Sequence, residues 1–252
     1  RSMTNPNVKQ DPTNWKVVRN WIFDRQGKDE HRRRQIYSVN DWIYHGVHFG
    51  LMSVYEWPGD TSEGPTDLSK RHQRDVMNYY LATSRNGDGW DLQWIYAGQP
   101  IVRRGGDGTF DKDLITPASS IVTYNDRHWL YYGGANERHG TPEVVFPRKH
   151  AIGVATLRLD GFISLTADDR PAILETKPFQ LAGNRLEINL DAHRGQLRVE
   201  VLDSNAAPIQ GFTGKEAKTI DDLRFAPSWD RPLFSLRGKV IRLRFHLRNA
   251  SI

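Results

Sequence analysis

Two stretches of the chain follow the same script, and this repeat limits the folds open to it more than any single residue does. The first runs from Ile36-Tyr37 through Gly46-Val47-His48-Phe49-Gly50-Leu51 to Tyr80-Leu81-Ala82-Thr83-Ser84-Arg85-Asn86-Gly87. The second begins about 75 to 80 residues later, with Ile115-Thr116, then Asp126-Arg127-His128-Trp129-Leu130-Tyr131-Tyr132, then Gly153-Val154-Ala155-Thr156 closing on Asp160-Gly161. Each copy reads as strand, tight turn, aromatic strand, polar insertion, and a strand ending in Ala-Thr before an Asn-Gly or Asp-Gly turn. Repeats of this period are the mark of propeller blades, small antiparallel sheets that cannot bury both faces alone.

The 252 residues, 38% hydrophobic and 26% charged, have the length and balance of one large β domain or two smaller ones. No window approaches 18 uninterrupted apolar residues and no charged-then-apolar leader opens the chain, so the sequence shows neither a membrane span nor a signal peptide and leaves its compartment open. With no cysteine, disulfides, thiolate nucleophiles and Cys-ligated zinc are excluded. The net charge of +5 is spread through the strands apart from Arg32-Arg33-Arg34. A nucleic-acid partner needs a basic stripe or a recognisable module, and the chain has neither.

Residues 1–30 read as a polar lead-in with one mixed segment, Trp15 to Phe23, of no clear type. From there β signals dominate. Tyr37–Tyr44 and Val47–Tyr55 predict a strand pair joined at His45-Gly46, residues 58–75 a long polar loop, and Val76–Thr83 the next strand. Ser84-Arg85-Asn86-Gly87-Asp88-Gly89-Trp90 predicts a turn closed by a Trp packing back on the sheet. After Leu165 the pattern changes to alternation: Leu186/Ile188/Leu190, Leu197/Val199/Val201 and Ile241/Leu243/Phe245/Leu247 each predict a separate strand with one buried and one wet face, as in an antiparallel sandwich. Only residues 67–74 and 214–222 offer weak helical candidates. The expected fold class is therefore all-β: a partial propeller of two to three blades over 31–168, then a β-sandwich over 169–252.

Gly108-Thr109-Phe110-Asp111-Lys112-Asp113, Trp129-Leu130-Tyr131-Tyr132-Gly133-Gly134, Leu159-Asp160-Gly161-Phe162-Ile163-Ser164-Leu165 and Gly238 to Phe245 together resemble bacterial proteins similar to glycoside hydrolases of families 32 and 43. Those proteins carry a five-bladed propeller followed by a β-sandwich, and the resemblance covers roughly residues 30–252. It implies action on glycosides through axial carboxylates, one protonating the leaving oxygen and another attacking or activating water. The chain departs from the family pattern in having no Trp-x-Asn-Asp-Pro-Asn-Gly-like segment, no Arg-Asp-Pro triplet, and only about two of the repeats. A partial ring leaves strand edges and apolar faces unpaired, so a homo-oligomer that completes the propeller is the expected partner, beside a carbohydrate ligand.

The resemblance also directs attention to polar residues just before Ile36 and Ile115, since the first strand of each blade points at the axis. Asp111 and Asp113 are the candidate catalytic carboxylates, with Glu137 in the following loop a possible acid. Arg34 is the candidate substrate anchor, and Gln35, Tyr37, Trp42, Tyr132 and His139 candidate substrate-binding residues. The competing reading has Asp111 capping a turn, Asp113 solvated and the aromatics packing within the sheet. The histidines fall at no metal-ligand spacing, and no cofactor motif is present: Arg104-Gly105-Gly106-Asp107-Gly108 is glycine-rich but lies between strands with no helix after it. A non-catalytic polysaccharide-binding module, or an esterase-like hydrolase with Ser, His and Asp converging in space, are the alternatives to a glycosidase.

Overall fold

The computed structural model describes residues 2–19, 34–56, 75–139 and 147–252. The helix suggested at 67–74, and nearly all of the polar loop expected at 58–75, lie outside them. The fold is all-β, with 53% strand and 4% helix. The chain forms two compact units, residues 1–124 with 128–156, and residues 125–127 with 157–252. This division falls ahead of the 168/169 boundary suggested by the change of pattern.

In the first unit, the lead-in forms a two-stranded antiparallel ribbon of β1 (Ser2–Thr4) and β2 (Lys16–Arg19). The first repeat becomes an antiparallel meander of β3 (Arg34–Tyr44), β4 (Val47–Glu56) and β5 (Val76–Ser84). His45 and Gly46 both take positive φ, 48° and 74°, the geometry of a two-residue hairpin turn whose twist matches the strands it joins. The second repeat supplies β6 (Leu114–Pro117), β7 (Val122–Tyr124), β8 (Arg127–Ala135) and β9 (His150–Arg158), with β6, β7 and β9 all pairing to β8. A parallel bridge from Met77 to Leu114 joins the two copies, so hydrogen bonding runs through one seven-stranded sheet.

One face of the meander packs Met52, Val54, Tyr80 and Ala82 against Trp90, Leu92 and Ile95. The last two flank and form a one-turn helix, α1 (Gln93–Tyr96), which the alternating pattern did not signal. The turn before it is fastened by its own polar groups. Ser84 Oγ accepts from the Gly87 amide at 3.0 Å, Asn86 Oδ1 from the Asp88 amide at 3.1 Å, and Trp90 Nε1 donates to the Gly87 carbonyl at 3.1 Å. Trp90 then lies on Gly50, where a Cβ would come within 2.6 Å of the indole ring.

The second unit comprises β10 (Thr166–Ala167), β11 (Ala172–Glu175), β12 (Phe179–Gln180), β13 (Ile188–Asp203), β14 (Pro208–Thr213), β15 (Ala217–Phe225), β16 (Val240–Arg248) and β17 (Ala250–Ser251). Two expectations are corrected here. The separate strands predicted around Ile188 and Val199 are one 16-residue strand, β13, which pairs with β14, β15, β16 and β17 in an eight-stranded antiparallel network. Between the two predicted strands the backbone passes through His193-Arg194-Gly195 as a register irregularity between Ala192 and Gln196. Gly195 permits this because a Cβ there would meet the Arg248 and Asn249 carbonyl oxygens at 2.1 Å. Second, residues 214–222, a helical candidate, run into β15, because the N-terminal half of β13 offers a ladder from Leu197–Ala217 to Ile188–Phe225. The core holds the alternating residues the pattern selects, among them Leu190, Leu197, Val199, Val201, Ile241 and Leu243, around a fully buried Phe212.

Candidate functional site

At one end of the first unit's sheet the start of β3, the end of β4, the starts of β5 and β6 and the end of β8 come together. Charged residues from each accumulate there. Alternation puts Glu56 on the same face as Met52 and Val54, so its carboxylate lies at the margin of a buried surface and needs donors. It has four contacts: Arg34 Nε and Nη2 both reach Oε1, at 3.1 and 2.7 Å, while Asn78 Nδ2 and Tyr80 Oη reach Oε2, at 2.6 and 2.9 Å. Arg34 Nη1 also donates to the Tyr96 carbonyl at 3.1 Å. Burial is the largest single influence on Arg34 and works against its charge, but Glu56 and Tyr80 together outweigh it and lift the guanidinium above its ordinary range. Burial, and then Glu56, push the Tyr80 phenol far up, so it stays a donor.

Arg104, after the Tyr79–Val102 bridge, links this group to a second one around Asp113. Its Nη1 donates to the Lys112 carbonyl, and its buried Nε has no hydrogen-bond partner among the described residues. Burial lowers the Arg104 pKa, against the opposing pull of Asp113 and Glu56 and with a small addition from Arg138. Asp113 is fixed through its backbone, which accepts from the Met77 amide at 2.9 Å and donates to the Ala135 carbonyl at 3.1 Å. Its side chain is only 10% exposed, with Lys112 Nζ at 3.7 Å and Arg138 Nε at 3.7 Å. Neither distance is a hydrogen bond.

Beyond Arg138, the chain places the His139 ring against Tyr37 and Tyr55, with centroids 5.5 and 5.4 Å apart, and the two tyrosines meet edge to face at 5.0 Å. Tyr37 is more than half exposed. Burial, then Tyr37 and Asp75, push the Tyr55 phenol up to about 12.

The residues singled out in the sequence thus separate into groups. Arg34 is engaged by Glu56. Asp111 is buried and accepts from Tyr132 Oη at 2.9 Å, a contact that with burial pushes Tyr132 up to about 12. Glu137 is held by Arg148 Nε at 3.2 Å and His150 Nε2 at 3.1 Å. Tyr37 and His139 meet, Gln35 is exposed beside them, and Asp113 sits under Arg138. Trp42, eight positions along β3 from Arg34, instead stacks on Tyr44 at 4.8 Å near His128, at the far end of the strand.

Glu56, Asn78, Tyr80 and Arg104 escaped sequence reasoning because each stands within an apolar or turn-like stretch. Glu56 after a buried strand was the one available signal. Among the described residues, no group of three or more His, Asp or Glu side chains is placed to hold a metal ion. No protein-family model matches the chain, and no curated protein matches it either.

Proposed function

We propose that the protein is a carbohydrate-active, glycoside-hydrolase-like protein that binds glycosides at this end of the sheet. The observation that carries the reading is the side-by-side placement of a mostly buried carboxylate whose side chain has no hydrogen bond among the described residues, Asp113, and an aromatic group of Tyr37, Tyr55 and His139, joined through Arg138. A sugar presents hydroxyls that donate to a carboxylate and an apolar C–H face that lies on a ring. The resemblance to glycoside hydrolases of families 32 and 43, with the repeats taken as propeller blades and the second unit as the sandwich, agrees with this.

Binding is better supported than turnover. Hydrolysis needs two working carboxylates. Of the four considered, Glu56, Asp111 and Glu137 are already taken up by donors or cations, which leaves Asp113. Asp113 acts in this reading as an acceptor for a sugar hydroxyl, with Tyr37 as the stacking platform. Calorimetry against a panel of soluble polysaccharides and oligosaccharides, together with an aryl-glycoside panel, tests it. Affinity that falls at least ~10-fold in Asp113→Asn and in Tyr37→Ala supports the site. Failure of the whole carbohydrate panel to bind overturns the reading, and glycoside turnover lost in Asp113→Asn converts it to a hydrolase. A self-completing oligomer belongs to the same proposal, supported by the outer edge of β3, unpaired among the described residues, and by exposed Tyr131, Ile152 and Val154 on neighbouring strands. A light-scattering mass of one chain at micromolar concentration removes that part.

A further inference from the structure

The two repeats cover their sheets differently. In the first, β4 and β5 are buried on both faces through most of their length, and the outer face lies under Trp90, Leu92 and Ile95. The inner face meets the second repeat, where the His128 ring stands edge-on to Trp42 and Tyr44 at 6.0 and 5.2 Å and Asn40 Nδ2 donates to the Ala118 carbonyl at 3.3 Å. In the second repeat only this inner face is covered. His128 and Leu130 of β8 are buried on it, and a Cβ at Gly153 of β9 would run into the Tyr132 ring, so Gly153 belongs to the same side. Alternation then turns Tyr131, Ile152 and Val154 outward. Thr123 Oγ1 meets the buried His128 at 2.9 Å, which turns Val122 and Tyr124 of β7 outward too. All five are exposed, Tyr124 at 71% and Ile152 at 81%.

At those exposures the five side chains present ~600 Å² per copy, and the ~1,200 Å² of a pair is where specific, stable interfaces begin. Residues 151–157 of β9 carry no charge that would resist a partner. A groove of about 380 Å³ over Gly133, walled by Leu114, Ala135 and Ile152, gives the face relief for a second surface to interlock with. So apolar a face matches a contact between identical chains, whereas a glycan needs several fixed hydroxyl partners. Head-to-tail stacking would use the outer face of the first repeat, which Trp90, Leu92 and Ile95 already occupy. The arrangement left is the same face on both copies, related by a two-fold axis, which closes the assembly at two. We propose that the chain forms a two-fold dimer in which the outer faces of the second repeats pack on each other. The proposal rests on the oligomer reading above and names its surface and symmetry.

The test uses the full chain, whose lack of cysteine lets a single introduced thiol report a contact cleanly. Light scattering at micromolar concentration is expected to give the mass of two chains. Ile152→Lys combined with Val154→Lys is expected to raise the dissociation constant at least ~100-fold, because like charges would then face each other. With a short bis-maleimide, Val154→Cys is expected to cross-link two copies, while Gln35→Cys at the start of β3 is not. Circular dichroism checks the fold of each variant, and Val154→Cys, close in size to the native residue, carries the test if the lysine variant unfolds. A mass of one chain overturns both the face and the oligomer reading. A dimer that persists in the folded lysine variant, or that cross-links through Gln35→Cys alone, overturns the face while the oligomer reading stands. A single chain in which added oligosaccharide protects Ile152 and Val154 from hydroxyl-radical labelling puts a glycan on the face and overturns the dimer.

Discussion

Arg34 directs two N–H groups onto a single oxygen of Glu56, Nε at 3.1 Å and Nη2 at 2.7 Å, with both side chains largely out of solvent at 9% and 13% exposure. The pair ties the start of β3 to the end of β4, next to the polar cluster of the first unit. A buried pair of this kind draws much of its measured importance from what is left when one member goes. Removing Glu56 strands a buried guanidinium and deprives Asn78 and Tyr80 of their acceptor.

Glu56→Ala is accordingly expected to cost about 3–5 kcal/mol in urea unfolding. Arg34→Met is expected to be comparably harmful. The double change to Met at both positions should recover at least half of either loss, because no charge is then stranded. Strict additivity of the two single losses would show that the ion pair is not what organises this corner.

Gly50 and Trp90 make a second coupled pair. A Cβ at position 50 would stand 2.6 Å from the indole and 2.9 Å from the Met52 methyl, both in the core, so neither has free space to retreat into. Gly50→Ala is expected to destabilise by about 1–3 kcal/mol through overpacking. Trp90→Ala should cost about 3–5 kcal/mol by leaving a cavity. In the Trp90→Ala background the added methyl should be close to neutral, which thermal melts of the three variants will show.

The elements that the sequence displays most openly are those governed by local chemistry. His45-Gly46 marks its hairpin because two positive φ angles are needed there, and Ser84 to Trp90 marks its turn because the side chains close it themselves. Where distant partners decide, the pattern misleads. The strands predicted separately around Ile188 and Val199 are joined, because flanking strands on both sides hold β13 extended through His193-Arg194-Gly195, and β15 is drawn out of a helix-compatible stretch by the same long ladder. The candidate site divides along similar lines. Asp113 and Arg34 are legible as polar residues opening strands, and Tyr37 with His139 as aromatic groups near the same end. That Asp111 is taken by Tyr132, or that Arg104 arrives beside Asp113 after crossing from Tyr79, depends on three-dimensional closure that no local spacing encodes.

Tyr55 and Tyr132, each pushed up to about 12, make the first unit sensitive to alkali. The phenol of an unfolded chain ionises near 10, so between about 10 and 12 the unfolded state loses its proton while the folded state keeps it. The stabilisation linked to these groups is therefore present below about 10 and is lost as pH rises toward 12. A spectroscopic titration of tyrosinate should show at least four phenols ionising late, Tyr55 and Tyr132 near 12 and the more deeply buried Tyr79 and Tyr80 later still. Tyr55→Phe and Tyr132→Phe should each flatten the fall of stability across that window. Tyr132→Phe should in addition cost about 1–2 kcal/mol at neutral pH, because Asp111 loses its donor.

The second unit should respond to acid instead. Burial tends to raise the Glu200 pKa, but His246 Nε2 at 2.8 Å and the Arg198 guanidinium bond to the ionised form and carry it below the ordinary glutamate value. A depressed folded pKa means that the unfolded state binds the proton first as pH falls. The stability tied to Glu200 is complete above the unfolded value of about 4.3 and disappears as pH drops through the lower folded value. Glu200→Gln should remove that portion of the acid slope while leaving a slope from other carboxylates such as Asp191, which the hydrogen bond with His193 holds below its ordinary value. Urea midpoints of wild type and variant between pH about 5 and 3 measure the difference. Converging curves toward the acid end are expected, since protonated Glu200 has already given up the contacts that Gln lacks, whereas a constant gap down to the lowest pH would mean that the carboxylate holds no differential charge interaction in the fold.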